Sequence, residues 1–321
     1  MNLNCPLPSA LCPLLVVTYE WVPPLGIVVA GVAAALAAWW LASLILGWLA
    51  PRVAGIARVT AKESYSQPLF WVELALGMAL LMLFAIVPFN TFGDDVKVMK
   101  ESGLTLIVVL ATIQAVWSAS VSIADELEGR TALTLLSKPI TRRQFVLGKF
   151  LGVITPVFMM FVVLGVVFLT AVSFKVSFDT RDTLHIAATA DQCQRELLQA
   201  APGLLLGLFE VIMLAAVSVA ISTRLGMVPN LVLCAAIYAL GHLVPLLVQS
   251  PAARNLPLVA FVGQLLSTIL PVLDHFTIQA AVASGRDVPL DYLIWAAGYC
   301  ALYSTVALLL ALILFEDRDL A

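Results

Sequence analysis

Residues 125–149 read DELEGRTALTLLSKPITRRQFVLGK, the longest strongly polar stretch that lies between two apolar runs of membrane-spanning length. This stretch is called the polar segment below. Its basic residues are Arg130, Lys138, Arg142, Arg143 and Lys149, and its acids are Asp125, Glu126 and Glu128. The 321-residue chain around it is 62% hydrophobic and only 12% charged, which is too few charges to cover a soluble domain of this size. The sequence therefore predicts an all-α, polytopic membrane helical bundle.

The apolar runs predict six core transmembrane helices and one extra N-terminal transmembrane helix. The core spans are predicted at about 69–89, 103–124, 150–174, 202–222, 228–248 and 292–315, and the extra span at 26–50. Residues 52–67 are too polar to span and predict an amphipathic helix at the membrane interface. These assignments divide the chain into an N-terminal extension, 1–50, and a main domain, 51–321. The polar stretches 90–102 and 175–200 are interpreted as connecting loops.

Residues 256–284 are apolar, but Pro271 and the pair Asp274-His275 interrupt them. Unsatisfied polar groups are costly in lipid, so this stretch is predicted to be a re-entrant or external element. A crossing there is the alternative, and it would give eight spans. With seven spans and a cytoplasmic polar segment, more Lys and Arg residues face the cytoplasm than the other side. We therefore expect an inner-membrane protein with its N-terminus outside and its C-terminus in the cytoplasm.

The polar segment itself shows internal structure. Residues 125–137 contain good helix formers, and acids at their start would favour the N-terminal end of a helix dipole. Pro139 disfavours the helical conformation of the residue before it and predicts a break. Thr141 and Gln144 have the spacing of a capping box, which predicts a second helix that continues into the next span. We expect a stiff unit whose displacement would reach the membrane.

The run DELEGRTALTLLSKPITRRQFVLGKFLG, residues 125–152, resembles the cytoplasmic motif of ABC-2 type transporter permeases, in which an acidic E-x-G-T-like stretch precedes L-L-S-x-P-I-x-R and G-K-x-x-G. The matching residues are Glu126, Glu128, Gly129, Thr131, Leu135, Leu136, Ser137, Pro139, Ile140, Arg142, Gly148, Lys149 and Gly152. The C-terminal run from Phe315 to Leu320 is also similar to the ending of that family. The resemblance covers roughly Ala57 to the end, and the extra N-terminal span departs from it.

This resemblance implies a permease subunit that pairs with a second permease copy, as a homodimer or a heterodimer. It also implies a cytoplasmic ATP-binding subunit that receives the polar segment in a surface groove. The residues expected to form this ATPase-coupling loop are Asp125, Glu126, Glu128, Gly129, Arg130, Thr131, Leu135, Leu136, Ser137, Pro139, Arg142 and Arg143. Closure of the ATPase subunits would tilt the flanking spans and drive export by alternating access.

The chain shows no ATP-hydrolysing motif of its own. The pair Gly148-Lys149 fails the P-loop pattern, because Phe150 follows it and Arg143 occupies the position of the first glycine. We therefore expect a non-enzymatic subunit without a cofactor, with ATP and Mg²⁺ bound by the partner. No sequence pattern predicts a metal site, and the small negative net charge of −3 gives no argument for nucleic-acid binding.

Glu210 lies near the middle of a predicted span, where a charge is costly, and His242 on the next span is its candidate partner. The two form a candidate intramembrane polar site in a substrate or gating path. A protonated, hydrogen-bonded glutamate with a structural role is the alternative. Two other functions stay open: a membrane scaffold or assembly factor that binds a cytoplasmic partner without transporting, and an intramembrane enzyme, for which only this pair is eligible.

Overall fold

The chain folds entirely into helices over the residues that a computed structural model describes, which are 24–87, 95–128, 141–184, 189–249, 257–277 and 288–316. In chain order the elements are α1 (Leu25–Leu49), α2 (Pro51–Ser66), α3 (Pro68–Ile86), α4 (Asp95–Glu128), α5 (Arg142–Leu184), α6 (Ala190–Ser222), α7 (Met227–Gln249), α8 (Pro257–Ile269), a 3₁₀ turn (Leu273–Phe276) and α9 (Leu290–Glu316). Within these ranges the predicted all-α class is confirmed.

Seven of these helices, α1, α3, α4, α5, α6, α7 and α9, are long and apolar enough to cross a membrane. This number agrees with the predicted polytopic bundle. Helix α8 has 13 residues and is about 20 Å long, less than the roughly 30 Å of hydrocarbon. The sequence-based assignment of 256–284 as a non-crossing element stays a prediction, and the short helix supports it.

Proline residues mark where α2 and α3 begin. Pro51 and Pro68 each occupy the first turn of their helix, where the missing backbone N–H has no helical partner to lose. Gln67 between the helices is extended, with φ −75° and ψ 134°. The chain therefore breaks at Pro68, and the polar helix α2 ends before the apolar helix α3 starts.

The polar stretch 175–200 is helical over 175–184 and 190–200, so its interpretation as a connecting loop was wrong there. Helix α5 continues to Leu184 and α6 begins at Ala190. Helix α4 likewise begins at Asp95, inside the other predicted loop, 90–102. Buried charges hold these extensions together. Lys175 lies 3.4 Å from the Asp95 carboxylate and donates a hydrogen bond to the Val87 carbonyl at 3.1 Å.

A second buried lysine, Lys100 on α4, forms an ion pair with Glu196 on α6. Both lysines are nearly inaccessible, whereas the sequence placed them in solvated connections. A buried charge requires a partner. In both pairs the lysine and its carboxylate lie on helices, which hold the two side chains at a fixed separation. With 43 residues, α5 is about 65 Å long and extends well beyond the hydrocarbon.

The centre of the bundle is formed by α4, α5 and α6, and α1 lies at its edge. In the apolar window of α4, 67% of the residues are buried, compared with 6% for α1. The main contact of α1 at mid-length is an aromatic stack between Trp39 and Phe158 of α5, with ring centroids 4.5 Å apart. The family-like part of the chain therefore contains the core, and the extra N-terminal helix packs on its outside.

Glycine residues set how closely the helices approach. A Cβ atom on Gly152 of α5 would lie 2.5 Å from the Thr60 Cβ and 2.9 Å from the Ala57 carbonyl oxygen of α2. A Cβ atom on Gly148 would lie 2.6 Å from the Ile56 Cβ. Gly148 and Gly152 have the GxxxG spacing, and this spacing allows α2 and α5 to pack closely within the subunit.

The second GxxxG pair acts in the same way between α6 and α4. Cβ atoms on Gly203 and Gly207 would lie 2.7 Å from Leu104 Cδ1 and 2.6 Å from Val108 Cγ2. These contacts are to side-chain termini, so they can relax more easily than the contact of Gly152 with backbone. Gly152 is therefore the more stringent test of helix approach.

We predict that Gly152→Ala lowers the free energy of unfolding by about 1–3 kcal/mol, because the added methyl group must displace the α2 backbone. The measurement is the unfolding midpoint of the detergent-purified chain. Gly298→Ala on α9 is the matched control, since a Cβ atom there meets nothing within 4 Å. Equal stability of the two variants would contradict this account of the α2–α5 contact.

Candidate functional site

The structure describes the two ends of the polar segment, residues 125–128 and 141–149. The first end differs from the sequence-based prediction. Helix α4 continues through Glu128, so residues 125–128 form its last turn. The prediction that Asp125, Glu126 and Glu128 begin a new helix is wrong, because the preceding helix does not stop at residue 124. The side chains of these acids lie outside the described residues, as do Gly129, Arg130, Thr131, Leu135, Leu136, Ser137 and the break predicted at Pro139.

The capping box at the other end is confirmed. The Gln144 backbone N–H donates to Thr141 Oγ1 at 3.3 Å, and the Thr141 backbone N–H donates to Gln144 Oε1 at 3.2 Å. These two bonds satisfy backbone donors that a helix start would otherwise leave unpaired. Helix α5 then begins at Arg142 and continues without interruption into the longest span. Arg142 and Arg143 are exposed in this first turn.

Lys149 closes the base of the polar segment. Its side chain is 2% exposed, and its Nζ donates a hydrogen bond to the Ser122 carbonyl oxygen of α4 at 2.8 Å. The ammonium also lies 5.7 Å from the centre of the Phe145 ring. The bond ties the last turns of α4 to the first turns of α5.

The C-terminal end of α9 packs on the same base. Phe315 stacks on Phe145, with ring centroids 5.7 Å apart, and the Arg142 guanidinium lies 5.9 Å from the Phe315 ring centre. Arg224, in the turn after α6, donates from Nε to the Leu314 carbonyl at 2.7 Å. The aromatic residue of the family-like ending therefore contacts the start of α5 directly.

A buried polar cluster lies behind this base and joins three helices. The Asn230 side-chain amide of α7 contacts the hydroxyl groups of Ser120 on α4 and of Ser218 and Ser222 on α6, at 2.7, 2.9 and 2.8 Å. Its two N–H groups are shared among three hydroxyl acceptors. The Cys234 thiol donates to the side-chain amide oxygen Oδ1 of Asn230 at 3.3 Å. Interhelical bonds of this kind average about 0.6 kcal/mol each in membranes and fix the register of the helices.

The structure brings Glu210 and His242 together. Glu210 on α6 is 2% exposed, and its Oε1 lies 3.5 Å from Nε2 of His242 on α7. This is ion-pair distance, but no described group donates a hydrogen bond to Oε1. The other ring nitrogen, Nδ1, lies 3.0 Å from the Tyr238 carbonyl oxygen one turn earlier. The Tyr238 and His242 rings are also in contact, with centroids 4.7 Å apart.

These contacts orient the imidazole ring of His242. A carbonyl oxygen only accepts hydrogen bonds, so Nδ1 donates to Tyr238 and Nε2 faces the Glu210 carboxyl group. The two side chains therefore form a buried polar pair between α6 and α7, within helices long enough to cross a membrane, where polar groups are costly.

The turn after α8 covers the site. A Cβ atom on Gly241, next to His242, would lie 2.7 Å from Leu273 Cγ and 3.0 Å from the Pro271 carbonyl oxygen. Earlier in the chain, Gly263 of α8 faces Val248 near the end of α7. The chain therefore descends along α7 by about two helical turns before it reaches the level of His242. Asp274 and His275 lie in this turn, and within the described residues no three His, Cys, Asp or Glu side chains cluster as a metal site would require.

Sequence reasoning missed the roles of Lys149 and Asn230. Lys149 was treated as one more loop charge, although it lies on the buried stripe of α5 that also contains Phe145, Val146 and Val153. That helical spacing was a usable signal for a buried lysine. Asn230 had no such signal, because the three serines that surround it become neighbours only after the helices pack.

The comparisons with known proteins agree with this architecture. A family model described as "ABC-2 family transporter protein" matches residues 57–320, so α1 and the start of α2 lie outside the match. No curated protein matches the chain. A family of this kind supplies the multi-pass membrane permease of an ABC transporter, which implies a partner ATPase subunit. The match covers most of the chain, and the protein therefore belongs to the ABC-2 family of transporters.

Proposed function

We propose that this chain couples ATP hydrolysis in a separate cytoplasmic subunit to the export of a substrate across the inner membrane, with the polar segment as the contact. The observation that carries the proposal is the closed base of this segment. Lys149 bonds to the Ser122 carbonyl, so a displacement at residues 125–141 acts on α4 and α5 together. A loop that served only to set topology would not need this connection.

Helix α5 is the element that would carry the motion. It begins one residue after Thr141 and is helical over 43 residues, so a tilt at its start extends through the whole membrane. Gly148 and Gly152 allow its first turns to pack closely on α2. Phe145, in the same turns, packs on Phe315 at the end of α9. A push on the capped end would therefore shift several helices as one group, since packed helices resist deformation.

The pair of Glu210 and His242 would lie on the path that this motion opens. A carboxyl oxygen that is buried without a hydrogen bond is a costly feature to keep in a membrane bundle. Rotation of α6 against α7 would expose the pair and allow it to bind a polar group of the substrate. A second permease copy would supply the opposite wall of the path.

The proposal includes the orientation of the chain in the membrane and the role of each subunit. The polar segment and the C-terminus face the cytoplasm, and the N-terminus lies outside. ATP and Mg²⁺ bind to the partner ATPase, and this chain contributes the pathway and the coupling surface. The partner is an ABC-type ATPase subunit, as the family match implies, and its turnover in the reconstituted complex measures the coupling.

We predict that Glu126→Lys lowers permease-dependent ATP turnover roughly tenfold or more, because reversing a charge at a complementary interface costs several kcal/mol. Turnover is measured with the co-expressed complex in lipid vesicles, relative to the ATPase alone. Glu101→Lys is the matched control, since it makes the same charge change at the opposite end of α4. Insertion of both variants is checked by their yield in the membrane fraction.

Two outcomes would count against this coupling surface. Equal turnover in Glu126→Lys and the unmodified complex would remove the polar segment from the coupling path. ATP turnover that does not depend on the permease at all would favour a membrane scaffold, which binds its partner without transporting.

We also predict that Glu210→Gln lowers permease-dependent turnover about tenfold, as expected for a coupling energy of about 1–3 kcal/mol. Glutamine keeps the shape of the side chain but removes the carboxyl group that lies against His242. Glu73→Gln is the matched control, because Glu73 on α3 is a second buried carboxyl group away from this pair. A loss of turnover in both variants, or in neither, would assign Glu210 a structural role.

A further inference from the structure

A cavity of about 350 Å³ separates the C-terminal half of α1 from α2 and α5. It lies between the stack of Trp39 on Phe158 and the sharp connection from α1 to α2. Trp39, Ala42 and Leu46 of α1, Ala57 and Arg58 of α2, and Leu151 of α5 are among the residues that line it. The walls are therefore apolar except near Arg58.

Arg58 is the one charged side chain in this lining. Its guanidinium reaches across to α1, since Nη2 would lie 3.5 Å from a Cβ atom on Gly47. No carboxylate among the described residues pairs with it. The two hydroxyl groups in the lining are occupied, because Ser43 donates to the Trp40 carbonyl and Thr155 to the Leu151 carbonyl. The guanidinium is thus available to an anion that enters the cavity.

A second cavity, of about 400 Å³, provides an internal comparison. It lies on the other side of the Trp39–Phe158 stack, between the first half of α1 and helices α5 and α6. No charged or polar side chain lines it. A cationic group is therefore present only in the cavity next to α2, the helix that the sequence places at the membrane interface.

We infer that the cavity beside Arg58 binds one anionic phospholipid, with its phosphate on the guanidinium and an acyl chain between α1 and α5. This proposal goes beyond transport and does not rest on it. The guanidinium donors match two phosphate oxygens in a bidentate arrangement. The apolar walls match a hydrocarbon chain, and an apolar void left empty would lose the contacts of its lining atoms.

The position of α1 supports a lipid as the occupant. Only Val28 of its 25 residues is buried, so the rest of the chain leaves most of the surface of this helix uncovered. A chain from the surrounding bilayer can enter beside it without displacing protein. Bound there, the lipid would join the extra N-terminal helix to α2, and through Gly148 and Gly152 to the start of α5.

The test compares lipid retention by the full-length chain. The protein is reconstituted in vesicles with equal amounts of phosphatidylglycerol and phosphatidylcholine, extracted in mild detergent, and analysed by native mass spectrometry. We expect one retained phosphatidylglycerol. Arg58→Gln should reduce its retention about fivefold, the contribution of one basic residue near an anionic surface. Lys62→Gln removes the same charge from the same helix, outside the cavity lining, and should leave retention unchanged.

A second pair of variants tests the acyl chain. Ala42→Phe fills the cavity and should expel the lipid, whereas Ala37→Phe adds the same bulk to α1 away from either cavity lining and should not. The inference is overturned if Arg58→Gln retains the lipid, if Lys62→Gln loses as much, or if Ala42→Phe has no effect. Displacement of the lipid by millimolar inorganic phosphate would show that the guanidinium binds a free anion, and would also overturn it.

Discussion

The close approach of helices at small residues is the constraint on which this fold depends. Between membrane helices there is no hydrophobic driving force, since lipid is as apolar as leucine, so packing and hydrogen bonds must hold them. Gly148 and Gly152 bring α2 to within contact of the α5 backbone, and Gly203 and Gly207 do the same for α6 and α4. The buried amide of Asn230 then fixes α4, α6 and α7 in register.

These contacts converge where the polar segment enters and leaves the bundle. Lys149 joins the end of α4 to the start of α5, the Thr141 cap fixes the first turn of α5, and Phe315 holds the end of α9 against it. The extra helix α1 is attached at the same level through α2. A force applied to the polar segment would therefore be shared by most of the subunit, which explains how a short loop could drive a membrane pathway.

Local signals in the sequence were sufficient for much of this structure. The apolar runs gave the spans, and the spacing of Thr141 and Gln144 gave the cap. The pairing of Glu210 with His242 could be expected because consecutive spans are neighbours. The helical extensions over 175–200 could not be predicted, because they depend on ion pairs such as Lys175 with Asp95, whose partners are distant in sequence. The end of α4 was misplaced because charged residues resemble a loop in composition even when the helix continues.

The central claim is that residues at the end of α4 touch the ATPase subunit. The most direct measurement places a photo-crosslinking amino acid at position 126 of the full-length chain, co-expressed with its partner ATPase subunit. The account predicts a covalent adduct between the two subunits from position 126 and none from position 101, at the opposite end of the same helix. An adduct from position 101, or none from position 126 in a complex that still co-purifies, would contradict it.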